Sequence, residues 1–593
     1  MLNARLYRAA LVPFLFALAI AAFSLGTRPL PLSSTLAPDA FEGRRAFAEM
    51  QALAARYPDR RPGSAGDQAL AEHVAATLRG LGGGFSVHLQ HVEGQTIDGE
   101  RTLTNVIAQR PGSTNASPIV IVAHRDAAAP GSEAELSGTA ALLELARVFA
   151  ARETKRTIVL VSTSGGSGGD AGASGLAPSL RGAADGVIVI GDVAAANASR
   201  PEVVAYSDGF GSAPLALART VSDAITHELG ADPGSPSALG QLAHLALPMA
   251  AGEQGVLNAA GVPAVLVQAS GERGPAPRER VSAERVEGLG RSVLSAVDAL
   301  DTAPDVSSAM QTGLVLARKT LPLWAVQLLV GTALLAPLIA AADGLARLRR
   351  RRMPVGRWTL WTLSCALPFF SCALFAFLLG GAGVLGAAPA VPVPPSAMPI
   401  EGTAATVLIA VALSFLLAWL LWSMLVRRLH WGTRPDGEVA GLAVLLVLIP
   451  VALVVWASNP FAALLLVPAT HLWLLLASPE LRPRRVGAIA LVAGGLLPLI
   501  LLVAFFGHQL GLGVGGVAWT AVLMLAGGHI GLGGAVLWSA ALGCAAAASL
   551  LALRPQAAPP GPQVADGIEV TIRGPMSYAG PGSLGGTESA LRR

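Results

Sequence analysis

Residues 119–127 read IVIVAHRDA. A run of β-branched residues followed at once by His, Arg and Asp describes a short strand buried on both faces, whose carboxyl end delivers polar side chains to an edge. Similar runs are expected as strands at 85–89, 105–108, 157–161, 186–190 and 263–267. Several are continuously apolar rather than alternating, which suits a sheet covered by helices on both sides. The helices are legible between them. Ser64 reads as an N-cap with Asp67 three residues on, Leu70, Val74, Leu78 and Leu81 form one apolar face, and Gly82 and Gly83 mark the stop. Segments 139–150, 213–229 and 283–300 read as further helices, so residues 40–305 are expected to form one α/β domain with a mixed sheet, able to fold by itself.

Outside that domain the chain changes character. Overall 53% of the 593 residues are hydrophobic and 13% charged, too apolar for an ordinary soluble protein. An apolar run at 11–26, preceded by Arg5 and Arg8, is expected as an uncleaved anchor within residues 1–30. Eight further spans are expected in a membrane domain at 320–553: 321–341, 360–385, 403–426, 439–456, 461–477, 486–506, 514–528 and 535–553. The loops holding Arg349 to Arg352, then Arg427, Arg428 and Arg434, then Arg482, Arg484 and Arg485 alternate with loops almost without positive charge. With Arg5 and Arg8 inside, every basic loop falls inside, which places the α/β domain outside the cytoplasm of a multi-pass cell-membrane protein. The Pro-, Gly- and Ser-rich tail at 554–593 is expected to be disordered. The formal charge of +4 is not organised as a basic stripe, so nucleic acid is not expected as a partner. Cys365, Cys372 and Cys544 all fall in apolar runs, so a metal in the α/β domain would need His and carboxylates. Buried charge in the spans is nearly absent apart from His471, which disfavours an ion transporter.

Seven segments in order carry a resemblance. YPDRRPGSAGDQALAEHVAATLRGLG (57–82), NVIAQRPG (105–112), IVIVAHRDA, SGTAALLELARVFA (137–150), RTIVLVST (156–163), GVIVIGDV (186–193) and AAGVPAVLVQ (259–268) together resemble metallopeptidase family twenty-eight, the di-zinc aminopeptidases. The layout of anchor, exported domain and span bundle is also similar to the endoplasmic-reticulum metallopeptidases and to the aminopeptidase-like subunit of the GPI transamidase. The resemblance implies two zinc ions held by His and carboxylates, with a glutamate base activating a metal-bound water. By that resemblance His124 matches a zinc ligand, Asp126 the carboxylate that orients it, and Asp192 a later aspartate ligand.

The remaining positions depart from the pattern. Counting back from Ser137 and Gly138 puts Ala134 where the bridging aspartate belongs, flanked by Glu133 and Glu135, whose side chains would diverge in an extended segment. Gly166 takes the place of the general base and Ser167 that of a ligand, with Asp170 the nearest carboxylate, and no late histidine follows Ala264 before the spans. His124, Asp126 and Asp192 are therefore read as vestigial, and no cofactor is expected, zinc being the alternative. Glu253, Glu272 and Arg273 lie in segments that the fold would bring near the cleft, either as a polar binding site or as solvated loop residues with an ordinary ion pair. Asn115–Ser117 and Asn197–Ser199 fit the glycosylation acceptor pattern. The expected function is a degenerate peptidase domain that binds a peptide, lipid-linked or protein partner at the membrane; a zinc exopeptidase with rearranged ligands is the alternative, and transport of a hydrophobic substrate through the spans ranks third.

Overall fold

The computed structural model describes residues 4–196, 200–233, 237–303, 308–385, 388–429, 437–476 and 484–553. The tail after Leu553, the positions Arg434 and Arg482, and the Asn197–Ser199 acceptor lie outside them. A seven-stranded mixed sheet organises the α/β domain: β1 Ser86–Thr96, β2 Gly99–Arg110, β3 Ile119–His124, β4 Ile158–Thr163, β5 Gly186–Ile190, β6 Glu202–Val204 and β7 Ala264–Gln268, in spatial order β1-β2-β4-β3-β5-β7-β6. The centre, β4-β3-β5-β7, is parallel, and the flanking strands are antiparallel.

Strand geometry explains why the central runs are apolar throughout. Successive side chains point to opposite faces, so Ile119, Ile121 and Ala123 enter one apolar cluster and Val120 and Val122 the other. Ile188 and Ile190 against Val187 and Val189 repeat the division in β5. The first cluster is closed by helices Gly43–Arg56, Ala65–Gly80, Ser137–Ala150, Leu215–Leu229 and Ala283–Thr302; the second by Ala171–Leu180 and Glu253–Ala259. Ser64 caps its helix as expected, its hydroxyl accepting the Asp67 amide at 3.2 Å. The β1–β2 hairpin runs well beyond the expected 85–89 and 105–108, because much of β1 is exposed and its polar residues hide the strand in the sequence.

Among the described residues, seven helices have the length and apolar composition to cross a membrane: Arg5–Phe23, Leu323–Arg350, Val355–Gly381, Thr403–Arg428, Val439–Ser458, Arg485–Gln509 and Leu532–Leu553. Two of the expected spans are shorter helices, Pro460–Leu476 and Val514–Ala526. At about 1.5 Å per residue the latter extends about 20 Å, less than a hydrocarbon core of about 30 Å. The break at Cys365 and Ala366 divides the span at 355–381 into two helical pieces, the second beginning just before Pro368. His471 is satisfied in place, by the Ala333 carbonyl at 3.0 Å and the Tyr7 hydroxyl at 2.6 Å.

The α/β domain and the helices form one compact unit over Met1–Leu553. Leu245 and Ala246 share an apolar cluster with Val326, Val330 and Phe461. Asn459 Nδ2 donates to the Leu245 carbonyl at 2.7 Å, and His529 Nε2 lies 2.8 Å from the Pro248 carbonyl. A small three-stranded sheet, in spatial order Gly26–Thr27, Lys319–Leu321, Leu314–Val315, ties the end of the first helix to the start of Leu323–Arg350.

Candidate functional site

The parallel strands end together, so residues at their carboxyl ends meet, as expected for a ligand cleft in an open α/β sheet. His124 closes β3 and stands in register with Thr163 at the end of β4. Its Nδ1 lies 3.6 Å from Asp126 Oδ1 and its Nε2 3.5 Å from Glu135 Oε2. Burial opposes charge on the imidazole, but these carboxylates outweigh it and hold its pKa up at about 10. Asp126 is fully buried. Its Oδ1 accepts the Gly166 amide at 3.1 Å, and its Oδ2 accepts the Ser167 amide at 3.0 Å and the Ser167 hydroxyl at 2.5 Å. Burial raises the Asp126 pKa, but His124 and these donors prevail and bring it to about 2.

Glu135 corrects the extended-segment expectation. Ala134–Leu136 winds as a 3₁₀ turn, which swings Glu135 onto His124 while Ala134 remains a buried methyl. The Glu135 carboxyl is pushed up to about 7, by burial first.

Gly166 is enclosed. A Cβ there would sit 2.5 Å from His124 Cβ, 2.7 Å from His124 Cγ and 3.1 Å from Glu253 Cδ. Contacts of 2.5–2.7 Å lie well inside the optimal carbon separation of about 3.5–4.0 Å, so no side chain fits without displacing His124. The space beside it is taken by Glu253, delivered from another element. Contrary to the solvated-loop reading, Glu253 is the first residue of helix Glu253–Ala259, reached through Gly252 at φ 127, and is 1% exposed. Among the described residues neither of its carboxylate oxygens has a partner in good hydrogen-bond geometry, but the hydroxyl of nearby Thr163 lies close enough to favour the anion. Burial pushes the Glu253 carboxyl up to about 7. Asp170 is buried behind it at φ 49, with Oδ1 unpartnered, and burial holds its pKa well above the usual carboxylate range.

The other expected site residues divide. Asp192 faces its own turn: Oδ1 accepts the amides of Ala194 and Ala195 at 2.8 and 3.0 Å. Glu272 is buried, not solvated, and pairs with His244 Nε2 at 2.9 Å. His244 is a satisfied core histidine, stacked on Tyr206 at 3.8 Å with its Nδ1 2.9 Å from the Gly240 carbonyl. Arg273 is half-exposed and pairs with Glu279 at 3.2 Å, the ordinary ion pair. His124, Glu135, Glu253 and Glu272 line one cavity of about 30 Å³, whereas Asp192 and Arg273 do not. That volume accommodates about one water. Its roof includes Pro394, from the segment between the helices Leu367–Gly381 and Thr403–Arg428. Pro389, Val393 and Ala397 of the same segment press on Gly168 and Gly169.

The two-zinc arrangement does not fit these residues. The position that the resemblance assigns to the bridging carboxylate is a methyl at Ala134, Ser167 donates its hydroxyl to Asp126, and Asp192 is held by backbone amides through Oδ1, its buried Oδ2 having no hydrogen-bond partner among the described residues. Among the described residues no group of three His, Cys, Asp or Glu has metal-holding geometry. What the geometry offers is a closed, acid-rich cleft of one imidazole and several proton-retaining carboxyls. Glu253 is one of the residues that the sequence suggested the fold would bring near the cleft, and Glu135 one of the two flanking Ala134; the contact of each with the His124 site depends on a local turn and on a helix start that the sequence marks only by Gly252 and an acidic first residue.

Residues 105–237 match the model of Peptidase family M28. Among solved structures, a zinc aminopeptidase from Bacillus subtilis is 13% identical, with a TM-score of 0.37 over 46% of this chain and 98% of that one. The LapA aminopeptidase from Legionella pneumophila is 14% identical, with a TM-score of 0.36 over 45% of this chain and 73% of that one. A glutaminyl cyclase from Bacteroides thetaiotaomicron is 14% identical, with a TM-score of 0.31 over 43% and 97%. No curated protein matches the chain in sequence. The likeness to Peptidase family M28 lies within the α/β domain, over residues 105–237.

Proposed function

We propose that this protein is a multi-pass membrane protein whose M28-like domain lies outside the cytoplasm, does not hydrolyse peptides through a zinc-bound water, and acts in binding or assembly at the membrane. The observation that carries this reading is Gly166: the general-base position is a glycine into which not even a methyl fits. Loss of a general base typically costs a factor of about 10² to 10⁴, and the methyl of Ala134 also removes the carboxylate that would hold two cations together. The roof over the cleft adds support, since Pro394 leaves room for about one water where a peptide terminus would have to enter. The alternation of basic loops supports the orientation; reporter fusions after Thr302 and after Arg352 should report opposite compartments.

One observation favours a second reading, an exopeptidase with rearranged ligands: the buried carboxylate of Glu253, without an ion-pair partner among the described residues, shares a cavity with His124 and Glu135. Elemental analysis of the purified full chain, with aminopeptidase assays in added zinc, separates the two. The first reading expects substoichiometric metal and no activity above that of His124→Ala. Stoichiometric zinc, with chelator-sensitive activity lost in both His124→Ala and Glu253→Gln, would establish the second.

A further inference from the structure

A larger cavity of about 320 Å³ lies away from the cleft, between Leu215–Leu229, β6 and the small three-stranded sheet. Its position relative to the apolar helices follows from chain connectivity. Arg28 on its wall comes five residues after the first long apolar helix ends at Phe23, and Val315 opposite belongs to the sheet that leads into Leu323–Arg350. Leu245 on another wall belongs to the cluster that contains Val326 and Val330 of that helix. The cavity therefore sits where the α/β domain meets the ends of two helices long enough to span a bilayer.

Two guanidinium groups line it. Arg219 donates from Nη1 to the carbonyl of Pro29, the residue next to Arg28, so the two cations are held side by side. Arg28 donates from Nη1 to the Ala317 carbonyl at 3.2 Å, while its Nε is buried with no acceptor. Among the described residues neither arginine forms an ion pair; their acceptors are main-chain carbonyls. Burial first, and then the Arg219 charge, lower the proton affinity of Arg28, the signature of like charges kept close without a counter-ion. Asp223 and Asp232 also line the cavity, but both are exposed at its rim. Planar guanidinium forks match phosphate oxygens, and the lining also includes apolar Val203, Ala205 and Leu245 beside polar Ser212, Gln241 and Gln311.

We propose that this cavity binds the phosphate headgroup of an anionic membrane phospholipid, with Arg28 and Arg219 holding the phosphate and the apolar part of the lining receiving the glycerol and the start of the acyl chains. The bilayer is the favoured source because the cavity adjoins the helix ends, and the site requires a bilayer, not a particular side of it. It stands independently of the reading of the cleft.

The full chain in a neutral detergent is titrated with short-chain phosphatidylglycerol and, separately, with inorganic phosphate, and binding is read by native mass spectrometry and by the shift in melting temperature. The expected result is one saturable phosphatidylglycerol site, weakened at least tenfold by Arg219→Ala and partly restored by Arg219→Lys, with inorganic phosphate binding at least tenfold more weakly. If Arg219→Ala fails to fold, Arg28→Ala replaces it. Equal binding of phosphate and lipid would overturn the lipid assignment. Absence of a saturable site, or one indifferent to both arginine substitutions, would overturn the site itself.

Discussion

Replacing Glu253 with Gln should stabilise this protein at alkaline pH and do little at acidic pH. The Glu253 carboxyl has a pKa of about 7 in the folded chain, because burial disfavours its anion, against 4.5 unperturbed. A carboxyl whose folded pKa is raised holds its proton in the folded state between those values while the unfolded chain has lost it. Stability is therefore highest below pH 4.5 and declines as pH rises, and the whole cost is present above about 7. At about 1.4 kcal/mol for each factor of ten in proton affinity, 7 against 4.5 amounts to about 3 kcal/mol at pH 8 and less than about 1 kcal/mol at pH 5. Gln has nearly the same shape and no anion to bury, and removing the anion also relieves Asp170, whose pKa the Glu253 charge helps to raise, while withdrawing one of the carboxylates that hold up His124. For a domain of this size about 3 kcal/mol corresponds to a melting shift of about 5–10 °C. Melting of the detergent-solubilised full chain is measured at pH 5 and pH 8. A Gln variant that melts at or below the native chain at pH 8 would refute the reasoning, since it would mean that the anion has a partner and that its charge is stabilising.

Two further outcomes follow from the packing. Gly166→Ala places a methyl against the His124 ring and should cost about 1–3 kcal/mol; an unchanged melting temperature would show that the loop at 165–167 yields freely and would remove the main support for a degenerate site. Asn459→Ala removes the donor to the Leu245 carbonyl at the junction of the α/β domain and the bundle, with an expected cost of about 1 kcal/mol and faster protease cleavage near Leu247, read by timed digestion.

Much of the fold was legible because it rests on local pattern. The runs at 119–123, 157–161, 186–190 and 263–267 are apolar without alternation because each packs into clusters on both faces, and those runs are strands in the structure. Ser64 with Asp67 marked a helix start because capping is settled within one turn. Long apolar stretches marked most of the helices that are long and apolar enough to span, because length and composition are themselves the requirement. Ala134 and Gly166 were legible as positions whose side chains can neither ligate nor accept a proton. What surrounds those positions depended on the tertiary structure. Glu135 reaches His124 only because residues 134–136 turn as 3₁₀ helix, and Glu253 fills the space beside Gly166 because sheet order brings a helix from beyond β6 against the ends of β3 and β4. Pro394 closes the cleft from a segment more than two hundred residues from His124 in the chain. Local periodicity encodes which face a residue presents, but not which distant residue meets it there; that meeting also determines whether a buried carboxyl keeps its proton.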